Sequence, residues 1–251
     1  MRVLKLTVAY DGTTYVGWQR QADGTSIQGL IEEALARIEG QPVTVTGAGR
    51  TDAGVHALGQ VASVRVETTH SCDTYVRALN AALPEDVRVR RVEEMPETFH
   101  ARFDARAKTY RYRILTGPIA SPFELRYAWH VTFPLDREAM RIALASCVGE
   151  HDFAAFQAAG SVVSGTVRTI HQATLEEART DVDPETPLLT LTVTGDGFLR
   201  HMVRTLTGTL IEVGRGRRPA SDLPRLLEAK DRAQAGETAP PHGLFLVEVT
   251  Y

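Results

Sequence analysis

Cysteine is scarce in this chain, with only Cys72 and Cys147 among 251 residues. The two lie far apart and form no Cys-x-x-Cys pair, which argues against a disulfide framework and against a cysteine zinc site. Both fall at apolar positions of predicted helices, so buried, reduced thiols are expected. Long apolar runs are also missing, and none approaches the roughly 18 residues of a membrane span. The amino terminus lacks a basic region followed by an apolar block and a cleavage site, so a cytoplasmic protein without membrane attachment is expected. Eight histidines are present, but none is arranged as His-Glu-x-x-His or at a Cys-His zinc spacing, so no metal is expected. His56 in particular is expected to orient backbone rather than bind a metal.

Charge of one sign is lacking too. A net charge of −3 does not by itself suggest a nucleic-acid partner, but a total hides its distribution. Arg102, Arg106, Lys108, Arg111 and Arg113 cluster against one acid, Asp104, and Arg200, Arg204, Arg215, Arg217 and Arg218 cluster against Glu212. Acids gather elsewhere, in Glu176, Glu177, Asp181, Asp183 and Glu185, a segment with two prolines that reads as a solvated hairpin tip. A basic cleft on an acidic body suits a nucleic-acid enzyme, although a charge run alone equally describes a soluble face. With 43% hydrophobic and 24% charged residues, the chain has the composition of a globular protein long enough to bury a substantial core.

The periodicity predicts a strand over residues 3–10, where Leu4, Leu6, Val8 and Tyr10 alternate with polar positions before the turn signal Asp11-Gly12. Thr25 and Gln28 form a capping-box pattern, and Ile27, Leu30, Ile31, Ala34, Leu35 and Ile38 recur at helical spacing up to Gly40. Strands are predicted at 42–46, 60–66 and 87–92, and a helix at 73–83, giving the order β-α-β-β-α-β. The pattern then begins again. A strand at 109–115 is followed by a helix capped by Asp136 and carrying Met140, Leu144, Cys147 and Val148, then a strand with Leu189, Leu191 and Val193. Phe198, Met202, Leu206, Leu210 and Val213 predict a helix in which Gly208 permits close packing. A last strand carries Phe245, Val247, Val249 and Tyr251, which must pair to bury an apolar face. Two α+β halves follow, divided as 1–104 and 105–251 and read as a duplication.

Between the predicted strands 42–46 and 60–66 lies Gly47-Ala48-Gly49-Arg50-Thr51-Asp52-Ala53-Gly54-Val55-His56. It is not a phosphate loop, because no Gly-Lys-Ser/Thr closes it, and Asp52 stands where a dinucleotide fingerprint needs its third glycine. A carboxylate there repels phosphate, so the glycines are better suited to presenting Asp52 than to cradling an anion. In isolation, Asp52 could equally cap a turn with Arg50 as its surface partner. Arg204 would be a surface arginine, and Tyr110 and Tyr112, in one strand phase, would be core.

Gly-Arg-Thr-Asp-Ala-Gly-Val-His, however, resembles the active-site loop of the tRNA pseudouridine synthase A family. Further stretches match in the family's order along the whole chain: Tyr10-Asp11-Gly12-Thr13, Gly17-Trp18-Gln19-Arg20-Gln21, Phe99-His100-Ala101-Arg102-Phe103, Lys108-Thr109-Tyr110-Arg111-Tyr112, His151-Asp152-Phe153, Thr166-Val167-Arg168-Thr169-Ile170, Phe198-Leu199-Arg200-His201-Met202-Val203-Arg204 and Pro240-Pro241-His242-Gly243-Leu244. The resemblance implies two similar α/β halves forming an extended mixed, largely antiparallel sheet, with helices packed behind and a central basic cleft. It implies isomerisation of uridine to pseudouridine in the anticodon stem-loop of tRNA, at nucleotides 38 to 40, by a homodimer that needs no cofactor. Asp52 is then the nucleophile, Arg204 its counter-ion and Arg50 a support of the loop, while Tyr110 stacks on the uracil and Tyr112 is left to the core. Two other classes compete: an N-glycosidic-bond hydrolase acting on RNA, which shares the first step, and a noncatalytic RNA-binding module. The hydrolase needs a general acid that the loop does not hold, and the module needs none of these four residues.

Overall fold

The computed structural model describes residues 1–160, 165–180 and 182–251. The chain divides into two compact units, Met1–Arg106 with Phe245–Tyr251, and Ala107–Leu244. The final strand, grouped with the second half in the 1–104 and 105–251 division, thus belongs with the first unit.

The first unit contains β1 (Arg2–Tyr10), α1 (Ile27–Glu39), β2 (Val45–Gly47), β3 (His56–Val66), α2 (Cys72–Ala82) and β4 (Val87–Met95), in the expected order β-α-β-β-α-β. β1 lies between β3 and β4 and is antiparallel to both. β2 pairs with β3, and β10 (Leu244–Thr250) joins β3 in parallel through Phe245↔His56 and Leu246↔Ala57. The pleat sends Leu4, Leu6, Val8, Ala62 and Val64 to one buried side. Ile27, Ile31, Ala34 and Leu35 on α1, with Tyr75 and Leu79 on α2, are buried with them.

Several expectations need correction. β2 begins only at Val45, whereas β3 is extended back to His56, so the loop between them runs from Ala48 to Val55. The cap of α1 is Ser26, whose hydroxyl accepts the Gly29 N–H at 3.2 Å, rather than a Thr25–Gln28 box. Gln28 is buried and donates to Val45 O at 3.0 Å, while its Oε1 accepts the Arg20 N–H at 3.0 Å, so tertiary partners replace the local one. In β10 the buried positions are Leu244, Leu246 and Val249, while Phe245 and Val247 are half-buried. Cys72 is only half-buried at the start of α2, but Cys147 is fully buried and its thiol is pushed up to about 12 by that burial.

The second unit contains β5 (Ala107–Thr116), β6 (Trp129–Val131), α3 (Arg137–Ala145), β7 (Gly149–Asp152), β8 (Val167–Arg179), β9 (Pro187–Gly195), α4 (Met202–Gly214) and α5 (Asp222–Ala229). β5, β9, β8 and β7 pair antiparallel in that spatial order, and β6 runs parallel to β5. Both units are therefore α+β with largely antiparallel sheets. Asp136 caps α3 by accepting the Ala139 N–H at 3.0 Å, as expected, but the helix ends at Ala145, before Cys147 and the exposed Val148. Gly208 does serve close packing, since a Cβ there would sit 1.9 Å from the Glu237 carbonyl oxygen. The acidic segment joins β8 to β9 as a hairpin, with Glu176, Glu177 and Glu185 exposed; its Asp181 lies outside the described residues.

Candidate active site

The loop Ala48–Val55 is fastened by β3, by the end of β1 and by the segment that follows β1. Ala48 N–H donates to Val61 O at 2.7 Å and the Gln60 amide to Gly49 O at 2.9 Å. Thr51 is buried between Tyr10, whose hydroxyl lies 2.8 Å from its own, and Trp18, whose N–H donates to its carbonyl at 3.1 Å. Val55 N–H returns to Asp52 O at 3.1 Å, closing a turn that needs Gly54 at φ 76°. At the far end the Gly12 N–H donates to His56 Nδ1 at 3.0 Å, and Asp11 Oδ1 lies 3.1 Å from the same nitrogen. Through Nδ1 the ring ties residues 11–12 to the end of the loop. The ring is fully buried and stacked on Phe245 with centroids 4.7 Å apart. His56 thus orients backbone, in line with the expectation for it.

Backbone contact is close enough that side chains are excluded. A Cβ on Gly12 would meet Val55 O at 2.0 Å, and one on Gly17, which sits at φ 105°, would meet Thr51 O at 2.5 Å. Asp52 emerges from this frame half-buried, and it is the sole acid between Gly47 and His56. Arg50 is exposed and donates from Nε to Gln19 Oε1 at 3.1 Å, which fixes the loop to the segment before α1. Tyr10, Gly12, Gly17, Trp18 and Gln60 received no role in the sequence reading. Four of them lie in the matched motifs, but only the fold brings them against the loop.

Tyr110 and Arg204 belong to the second unit. Tyr110 is buried on β5 and meets Phe198 edge-on, with centroids 5.0 Å apart and planes at 77°. Tyr112 follows on the same face of β5 and donates its hydroxyl to Pro240 O at 2.7 Å. Arg204, the third residue of α4, donates from Nε to Ala239 O at 2.8 Å and accepts the Ala239 N–H at 3.1 Å. Met202, Leu206 and Leu210 bury the same helix, at about 1.5–3 kcal/mol for each large side chain.

The charge of Arg204 acts on two neighbours, Tyr112 and His242. Burial drives the Tyr112 hydroxyl above the ordinary phenol range, and Arg204 partly offsets this. Burial also pulls His242 below its ordinary value, and Arg204 adds to that effect against a hydrogen bond with the Ala128 backbone. Tyr112 and His242 therefore share the surroundings of Arg204, and Tyr112 is fully buried in the core, as expected for it.

Not every arginine of the basic runs is available to a ligand. Arg113 pairs with Glu124 at 2.6 Å, Arg218 pairs with Glu212 and with Asp222, and the Arg215 guanidinium carbon lies 3.7 Å from the centroid of the Phe133 ring. These three make contacts within the second unit.

A family model for tRNA pseudouridine synthases matches residues 6–104 and 143–251. Full-length relatives are similar throughout. The tRNA pseudouridine synthase A of Geobacter sp. (strain M21) is 47% identical, over 100% of this chain and 99% of its own. That of Exiguobacterium sp. is 46% identical over 100% and 98%, and that of Myxococcus xanthus 47% over 99% and 91%. Asp52, Tyr110 and Arg204 all lie in chain that these relatives span, and Asp52 and Arg204 also lie within the family model's two segments. A carboxylate held in a glycine-bounded loop, in a chain this similar from end to end, places the protein in the tRNA pseudouridine synthase family.

Proposed function

We propose that this isomerase of tRNA uridine acts in the anticodon stem-loop, at nucleotides 38 to 40, with Asp52 as the nucleophile. The observation that carries the reading is Asp52 itself, the single carboxylate of a loop pinned at both ends and along its middle. In the reaction the bond from N1 to C1′ breaks, the uracil turns, and a bond from C5 to C1′ forms. The C5 proton leaves and N1 gains one, so atoms balance with no redox change and no cofactor.

Each remaining residue has one task. Arg204 is the counter-ion of Asp52, a role suited to a planar, permanently charged group. Arg50 supports the loop through Gln19. Tyr110 offers its ring to the extruded uracil, which pays an unstacking cost on leaving the RNA and regains contact on an aromatic face. The chain works as a homodimer in the cytoplasm. Among the described residues no helix is long and apolar enough to cross a membrane.

The deciding experiment follows tritium release from tRNA labelled at uridine C5, together with the mass of the product. Wild-type protein is expected to release label and leave RNA mass unchanged, and Asp52→Asn to keep its melting temperature with release at background. Loss of the base from the RNA would establish a hydrolase instead, and near-normal turnover by Asp52→Asn would remove Asp52 from the chemistry. Sedimentation giving a stable monomer at working concentration would overturn the dimer.

A further inference from the structure

Phe103 is 74% exposed, and it is held rigidly. The turn that carries it is closed by His100 and Asp104. His100 Nδ1 accepts the N–H groups of Arg102 and Phe103, each at 3.2 Å, and Asp104 accepts the His100 N–H at 2.8 Å. The residue between is buried and anchored, with Ala101 N–H donating to Ser63 Oγ at 3.2 Å and Ala101 O accepting the Tyr251 hydroxyl at 2.8 Å. His100 stacks beneath the Phe103 ring, with centroids 4.2 Å apart and planes at 27°. The Arg102 guanidinium carbon stands 5.6 Å from the same ring.

A lone apolar side chain in water is ordinary on a protein surface, but this ring is distinguished by the hydrogen-bonded turn that fixes it and by the cation and imidazole on its faces. Arg102, Asp104 and Arg106 beside it are all exposed, so the ring stands among charges rather than in an apolar patch of the kind that docks a protein. A single aromatic face next to a cation fits one nucleobase and its phosphate. A groove of about 290 Å3 supplies the continuation, lined by Thr44, Thr46, Ser63, Arg65 and His100. Val3, Val64 and Phe99 complete its walls; Thr46 lies on the strand that leads into the Asp52 loop, and His100 is the ring stacked under Phe103.

We propose that Phe103 is a stacking platform for an unpaired base of the tRNA substrate, with Arg102 on the adjoining phosphate, reached along this groove from the catalytic loop. The proposal rests on tRNA as substrate, and wild-type binding and turnover of tRNA are the control for that reading alone.

The test measures the Kd for unmodified tRNA of Phe103→Ala, Phe103→Leu and Phe103→Trp in the full-length protein, with melting temperature and oligomeric state read on each. Loss of one stacked base predicts a Kd raised on the order of tenfold by Phe103→Ala. Phe103→Leu, apolar but without a π face, should bind nearly as poorly, and Phe103→Trp should bind like wild type. Arg102→Ala should lower the slope of log K against log salt by about one contact. Wild-type affinity in Phe103→Ala or Phe103→Leu overturns the proposal. So does a change of oligomeric state in Phe103→Ala, which would make the ring part of a contact between copies.

Discussion

Thr51, one residue before Asp52, is held from both sides: its carbonyl accepts the Trp18 N–H at 3.1 Å, and its hydroxyl lies 2.8 Å from that of Tyr10. The position of the proposed nucleophile is thereby set by a segment more than thirty residues earlier in the chain. Loops that carry function gain precision from such a scaffold.

Gly17 makes that approach possible, and Gly17→Ala is expected to disturb it. The new Cβ would lie 2.5 Å from Thr51 O and 3.1 Å from the Asp52 carbonyl carbon, at a φ of 105° that alanine adopts only under strain. Strain of this kind costs about 1–3 kcal/mol. Displacement of a catalytic group on the order of an ångström costs about a hundredfold in rate. Turnover should therefore fall far more than the melting temperature does, measured by tritium release and calorimetry. Wild-type turnover in Gly17→Ala would show that the loop does not depend on this contact.

Arg204→Lys is expected to damage activity more than stability. Met202, Leu206 and Leu210 already bury the helix, so removal of one guanidinium leaves its anchor intact. A lysine cannot reproduce both the planar charge and the bond to Ala239 O. Comparing melting temperature and turnover at neutral pH checks this. Preserved turnover would assign the charge near Asp52 to Arg50 instead.

Gly208→Ala tests the packing of α4 apart from its chemistry. With the added carbon 1.9 Å from Glu237 O, either the helix or the segment leading to Ala239 must shift. Overpacking of this kind costs about 1–3 kcal/mol. A lowered melting temperature is expected, and an unchanged one would mean that the 237 segment yields freely.

Acid should weaken the anchoring of α5. The hydrogen bond from Arg225 holds the Asp222 carboxyl below its ordinary value, with Arg218 helping and burial opposing. A carboxyl whose folded value is depressed contributes stability that is full above the unfolded value of about 3.9 and lost as pH falls through the folded one. Asp222→Asn should therefore melt below wild type at pH 7, and the gap should close below about pH 4 as the wild-type carboxyl protonates. Melting curves of both proteins from pH 7 to about pH 2 read this directly. A gap that stays constant would place the effect in packing rather than charge.

The sequence by itself determined the elements whose causes are local. Alternation at Leu4, Leu6 and Val8 specifies β1, the 3.6-residue recurrence from Ile27 to Leu35 specifies α1, and Asp136 caps α3, because each depends on neighbours within a few residues. The loop around Asp52 was legible through its glycines and its lone acid, and the family through motifs spread along the chain.

Tertiary structure decided what depends on distant partners. Gln28 pairs with Val45 rather than capping its own helix, and β10 buries Leu244 and Leu246 more deeply than Phe245 and Val247. The charge of Arg204 acts on Tyr112 and His242, and Phe103 stands on His100, through proximity that no periodicity encodes. Spacing along a chain specifies which face a residue takes, but the neighbour across that face is set by sheet register and loop closure.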